Sequence, residues 1–175
     1  MQFTNSDTPA ATPDETSADP PDEGKRLEFN DAVEIRTTKD ALWATISDPE
    51  TLTRCVPGAE SFERLSRRKY TLAITRGVSH LTVALEGDVE FVEMNEPDWI
   101  VASGFAHDTK TGSDFDVLAG MEMTELDAET VRLSYSAEVT FTGGVASLGP
   151  RMLRPIVKRD VDTYFENVRA AVEER

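Results

Sequence analysis

Carboxylates are the most abundant reactive groups in this chain, and their spacing limits what they can do. Asp114 and Asp116 lie two residues apart, as do Glu86, Asp88 and Glu90. Residues i and i+2 of a strand share one face, and the apolar residues alternating with these acids must take the other. The carboxylates are therefore expected to face water on the outside of a sheet. General acid–base catalysis needs a group titrating near neutral pH beside a substrate, and a solvated carboxylate is not one. Ser134 and Ser136 share the outward parity, and no Ser-His-Asp or Cys-His arrangement is visible. No catalytic residue is predicted.

Metal binding is not expected either. His80 has the polar parity of its strand, His107 falls at a strand end, and Cys55 is distant from both in sequence. No pair has ligand spacing. Cys55 lies in an apolar stretch near a predicted helix end and reads as a small buried packing residue. Gly143-Gly144 lacks the spacing of a phosphate loop and reads as a hinge into a helix. Arg151, Arg154, Lys158 and Arg159 form the one basic cluster. It sits in the first half of a predicted helix, where the macrodipole disfavours cations. A partner's acidic patch, a ligand's polar head group or lipid phosphate would explain it, as would a solvated face paired with Asp160 and Asp162.

What the strands offer instead is an apolar lining. Tyr70, Leu72 and Ile74 alternate with polar or small residues, and so do Leu81, Val83 and Leu85. Phe115, Val117, Ala119 and Met121 share a face, as do Tyr135, Ala137 and Val139. Met152 and Ile156 extend this set onto the predicted helix. Tyr70 and Tyr135 are the polar groups of the lining. A cavity so lined suits an apolar ligand with one or two hydrogen-bonding ends. A solid core would have the same lining.

The elements that must position these residues follow from hydrophobic periodicity. Residues 26–37 read as a strand. Two short helices follow, Lys39–Ser47 and one opening on Asp48-Pro49-Glu50, with Asp as N-cap and Pro at the first helical position. Pro57-Gly58 ends the second. Strands are predicted at 60–66, 69–76, 78–94, 99–106, 113–124 and 130–142, separated by short turns that imply antiparallel neighbours. Gly87, Gly104 and Gly120 are expected bend points in the long strands. Apolar residues mostly spaced three or four apart from Val145 to Val172 predict a helix, about 42 Å long at 1.5 Å per residue. The result is an α+β domain, a curved antiparallel sheet of about seven strands wrapped around a long C-terminal helix.

Composition sets the setting. Residues 1–24 hold six acids, no Lys or Arg, and much Pro, Ser, Thr and Ala, which predicts a disordered acidic tail ahead of one domain at 25–175. The net charge is −15, and removing the tail's −6 leaves −9 on the domain. With Lys used five times and Arg thirteen, the surface suggests adaptation to concentrated salt. Nucleic acid is not an expected partner, since phosphate neutralisation needs a basic face. A single cysteine fits a reducing cytoplasm, and no apolar run approaches the roughly 20 residues that span a bilayer.

Two stretches carry a resemblance. Asp48-Pro49-Glu50-Thr51-Leu52 through Cys55-Val56-Pro57-Gly58-Ala59-Glu60-Ser61, and Leu148-Gly149-Pro150-Arg151 through Phe165-Glu166-Asn167, resemble the carbon monoxide dehydrogenase CoxG family of the START-like helix-grip (SRPBCC) superfamily. The resemblance covers about residues 26–173. It implies a helix-grip domain holding a quinone or isoprenoid lipid between sheet and helix. It also implies an accessory carrier role for a molybdenum hydroxylase of the carbon monoxide dehydrogenase type, with transient membrane contact. No tightly bound cofactor is expected. A cyclase- or hydratase-like enzyme and an assembly module without ligand are the alternatives. Many family members carry a membrane-seeking segment after the last helix, whereas this sequence ends at Arg175.

Overall fold

The computed structural model describes residues 25–78 and 81–173. The expected disordered tail at 1–24 and the placement of His80 lie outside the described residues. The chain begins with strand β1 (Lys25–Arg36), followed by helices α1 (Lys39–Ile46) and α2 (Pro49–Cys55). Strands β2 (Ala59–Arg64), β3 (Lys69–Val78), β4 (Leu81–Asn95), β5 (Trp99–Asp108), β6 (Ser113–Asp127) and β7 (Thr130–Thr142) come next. A 3-10 turn (Gly143–Leu148) then leads into α3 (Gly149–Glu173).

Seven strands form one antiparallel sheet in the order β1-β7-β6-β5-β4-β3-β2. Consecutive strands from β2 to β7 pair as hairpins, and β1 closes against β7 from Lys25↔Phe141 to Arg36↔Thr130. Register breaks fall between Ala59 and Ser61, between Phe91 and Glu93 and between Glu125 and Asp127. Gly87, Gly104 and Gly120, expected as bend points, stay in register. The alternation expected of the strands is present: Leu27, Phe29, Val83, Val131, Leu133, Val139 and Phe141 are buried, while Glu86, Asp88, Glu90 and Glu122 lie on the opposite parity. The buried face is the one covered by the helices, with Leu42, Trp43 and Ile46 of α1 and Leu153, Phe165, Val168 and Val172 of α3 in the same core.

Both short helices start as the sequence dictates. The Thr38 side chain accepts from Ala41 N, and Asp48 accepts from Thr51 N at 2.9 Å with Pro49 in the first turn. The long helix differs from expectation. In place of one helix from Val145 there is a 3-10 turn and then 25 residues of α-helix, about 37 Å long. Gly149 takes φ +81°, a left-handed conformation that a continuous helix cannot contain. The entry is fixed by the β5–β6 turn. Asp108 there accepts from Thr111 N and Oγ1, while Gly144 N donates to Thr111 O and Val145 N to Ser113 Oγ.

Candidate functional site

The two stretches that carry the family resemblance meet in space. Asn167 of α3 donates its side-chain amide to Cys55 O at 3.0 Å, so the long helix satisfies a carbonyl at the C-terminal end of α2. Cys55 is buried, at 2% exposure, and burial pushes its thiol up. Val56 leaves the helix in an extended conformation. Gly58 then takes φ +78°, and its carbonyl accepts from Thr75 N at 2.9 Å. A side chain there would bring a Cβ within 2.3 Å of Thr75 O. The Cys-Val-Pro-Gly run is thus a packed, capped and sterically required turn whose Val56 and Pro57 form one edge of a pocket.

That pocket lies between the sheet and α3 and has a volume of about 380 Å³. Its floor is Ile74 of β3, Leu85 of β4, Ala119 and Met121 of β6, and Tyr135 and Ala137 of β7. The helix contributes Val157, Val161, Tyr164 and Phe165. Ala119 and Ala137 are direct cross-strand partners, and these two small side chains leave room beneath the helix. An aromatic wall stands beside them. Tyr135 stacks on Phe165 with ring centroids 4.5 Å apart, and Tyr164 meets Phe165 edge-on at 4.8 Å.

The polar inventory of the pocket is small. Burial raises the Tyr135 and Tyr164 phenols above their ordinary range, so both stay protonated and can donate. Neither hydroxyl has a hydrogen-bond partner among the described residues. Arg76 of β3 and Asp160 of α3 also line the pocket and form a two-pronged ion pair, Nε–Oδ2 3.0 Å and Nη2–Oδ1 2.6 Å. Each side chain is about one-third exposed or less, which puts the pair at the rim. It ties strand to helix across the mouth.

The sequence-predicted lining divides into three groups. Ile74, Leu85, Ala119, Met121, Tyr135 and Ala137 line the pocket. Tyr70, Val83 and Val139 are buried elsewhere in the core, and Phe115, Val117 and Ile156 pack against it. Leu72 and Leu81 are half-buried. Tyr70 differs from expectation: its hydroxyl donates to Ser47 O at 2.7 Å, so it anchors the end of α1 and is not a polar end of the pocket. Met152 also differs. It is 47% exposed, and Leu153 takes the buried position, because the helix phase is set by Phe165 and Val168 and not by the three-or-four spacing counted from Leu148. Sequence reasoning misses Arg76, which continues the inward parity of Tyr70, Leu72 and Ile74 but stands beside Gly77 in what reads as a turn. It assigns Asp160 to the cations of α3, and it leaves Val56, Pro57, Val157, Val161, Tyr164 and Phe165 out of the lining, because which face of α3 meets the sheet is set by the fold.

The basic residues are distributed differently from expectation as well. Arg154 donates to Glu28 O at 3.0 Å and lies over the Phe29 ring, and Lys158 pairs with Asp162 and Asp31. These two hold α3 to β1. Arg151 and Arg159 are exposed and have no ion pair among the described residues. The cluster on α3 is also not the one basic cluster expected: Arg64, Arg67, Arg68 and Lys69 form a second at the β2–β3 turn, where Arg64 and Arg68 donate to backbone carbonyls of that turn and of β4. Among the described residues no helix is long and apolar enough to cross a membrane.

Comparison with known proteins bears on the family and the fold. A model of the carbon monoxide dehydrogenase CoxG family matches residues 32–173. No curated protein matches the sequence. A conserved protein from Geobacillus kaustophilus superimposes with a TM-score of 0.78 at 20% identity, covering 85% of this chain and 96% of that one. The Zhui aromatase/cyclase from a Streptomyces strain gives a TM-score of 0.67 at 13% identity, with 86% and 95% covered. A START superfamily protein from Mycobacterium smegmatis gives 0.61 at 14% identity, with 84% and 97% covered. At these identities the likeness is one of fold, and the fold is START-like.

Proposed function

The chain belongs to the carbon monoxide dehydrogenase CoxG family, and from that premise we propose that it carries an apolar small molecule, a quinone or isoprenoid lipid, in the pocket under α3. The observation that carries this reading is the lining: mostly aliphatic and aromatic residues, with Ser136 and the Arg76–Asp160 pair the other polar members, and two protonated phenols as donors that have no partner among the described residues. A ring bearing carbonyl oxygens would place its plane against the Tyr135–Phe165 stack and accept from Tyr135 or Tyr164. Size supports a specific pose. The volume of about 380 Å³ is near the low end of the roughly 300–1,000 Å³ typical of small-molecule sites. A head group and the first part of its tail fit, and a long tail leaves past the Arg76–Asp160 rim.

In this reading the protein serves a molybdenum hydroxylase of the carbon monoxide dehydrogenase type, as electron-carrier holder and not as catalyst. Proton transfer at the pocket would need a group exchanging protons near neutral pH. The two phenols are held protonated, and Asp160 is committed to Arg76. Extraction of the purified protein with organic solvent, followed by mass spectrometry, tests the proposal. One apolar molecule per chain is expected. An empty extract together with no binding of added 2-methyl-1,4-naphthoquinone would refute it.

A further inference from the structure

The convex face of the sheet, opposite the pocket, has a pattern of its own. Phe105 on β5 is 43% exposed and Leu118 on β6 is 51% exposed. Their register makes them neighbours: Phe105 lies opposite Asp116, and Leu118 lies opposite Ser103. The two side chains are therefore diagonal cross-strand partners on one face. Val101 continues the diagonal, opposite Gly120. Gly120 and Ser136 leave a shallow trough beside this stripe. Exposed apolar side chains that stand singly need no explanation, but a contiguous stripe rimmed by polar groups marks an interaction site.

The rim is mostly acidic, with Lys69 opposite Glu90 and His107 paired with Asp114 at its ends. Phe105 has Asp88 on one side and Asp116 on the other in direct cross-strand positions. Glu86, Glu90 and Glu122 complete the border on the same parity. None of Glu86, Asp88, Glu90, Asp116 and Glu122 has an ion-pair partner among the described residues. The outward positions from Glu86 to Glu90, Trp99 to His107, Asp114 to Glu122 and Ser134 to Thr142 include no Lys or Arg. Cations meet this face at its edges, in the Arg26–Glu138 pair and at Lys69 opposite Glu90.

We propose that this face docks a partner protein whose surface presents Lys or Arg side chains around an apolar one. The apolar residue would fill the trough beside Leu118, and the cations would pair with Asp88 and Asp116. A second copy of this chain seated face to face would set carboxylate against carboxylate, which like-charge repulsion disfavours. The stripe lies on the opposite side of the sheet from the pocket and its side chains have the opposite parity, while the trough and the pocket share Ala119, Ser136 and Ala137 of the sheet between them.

A random 12-residue peptide library displayed on phage and selected against the full chain tests the proposal. The selected peptides are expected to combine two or more Lys or Arg with an aromatic or aliphatic anchor. They should bind the Phe105→Ser, Leu118→Ser double variant at least ten-fold more weakly, and bind the Asp88→Asn, Asp116→Asn variant more weakly at 0.15 M salt. All four positions face solvent or lie part-exposed, and an unchanged thermal midpoint shows that the variants are folded. Selection of neutral or acidic peptides, equal binding to the Ser double variant, or no enrichment would overturn the proposal. So would a dimer of the parent chain in analytical ultracentrifugation that the Ser double variant abolishes.

Discussion

Replacing Ala137 with phenylalanine separates a pocket from a packed core. Ala137 and Ala119 face each other across β7 and β6 beneath α3, and both line the space of about 380 Å³. In a close-packed interior an added ring is overpacking and costs about 1–3 kcal/mol. For a chain of this size each kcal/mol moves the thermal midpoint by about 2–4 °C, so a packed interior gives a fall of up to about 12 °C. A ring entering an open or ligand-filled pocket buries its own apolar surface and displaces only the occupant. Stability then changes by less than about 1 kcal/mol, and the midpoint stays within about 4 °C of the parent. Binding of 2-methyl-1,4-naphthoquinone, followed by quenching of Trp and Tyr fluorescence, should be lost in the same variant. A fall of more than about 4 °C with binding retained would refute the placement of the site.

Three other perturbations have defined outcomes. Gly58→Ala puts an L side chain at φ +78° with its Cβ 2.3 Å from Thr75 O; the left-handed backbone alone costs about 1–2 kcal/mol, and a total loss above about 2 kcal/mol is expected by urea denaturation. Asp108 is held below the usual carboxylate range, first by the Thr111 hydroxyl and then by backbone amides, against the effect of burial. Its contribution is therefore full above the unfolded pKa of about 3.9 and is lost as pH falls through the lower folded value. Asp108→Asn should lower the urea midpoint at pH 7, with a smaller difference below about pH 4; a constant difference at all pH would contradict this. The charge of −15 predicts a thermal midpoint that rises with potassium chloride, because repulsion screened over about 10 Å at 0.1 M is screened over about 3 Å at 1 M. A flat response would contradict salt adaptation.

Much of the architecture is legible in the sequence because strand periodicity is clear in most of the runs, though 60–66 is weakly patterned and 99–106 is apolar or small on both parities. The alternation of Phe115, Val117, Ala119 and Met121 with Asp114, Asp116 and Leu118 is enough to assign faces, and the cap at Asp48-Pro49 fixes a helix start. What the periodicity does not contain is tertiary geometry. The rotation of α3 on the sheet decides between Met152 and Leu153, and adjacent positions on an amphipathic helix differ by only about 100°. Spacing along the helix offers Asp160 the nearby cations of α3, yet its partner is Arg76, eighty-four residues earlier in the chain. Tyr70 and Tyr135 have the same parity and the same chemistry, but one hydroxyl is engaged by Ser47 O and the other has no partner among the described residues. Only the fold distinguishes an anchoring tyrosine from one available to a ligand.

The most direct test of the carrier reading is a crystal structure of the chain grown with 2-methyl-1,4-naphthoquinone. Planar density is expected between Ala119, Ala137, Val157 and the Tyr135–Phe165 stack, with a ring oxygen within hydrogen-bond distance of the Tyr135 or Tyr164 hydroxyl. Side chains of Met121, Val161 and Tyr164 closed over that space, with no ligand density at saturating naphthoquinone, would contradict it.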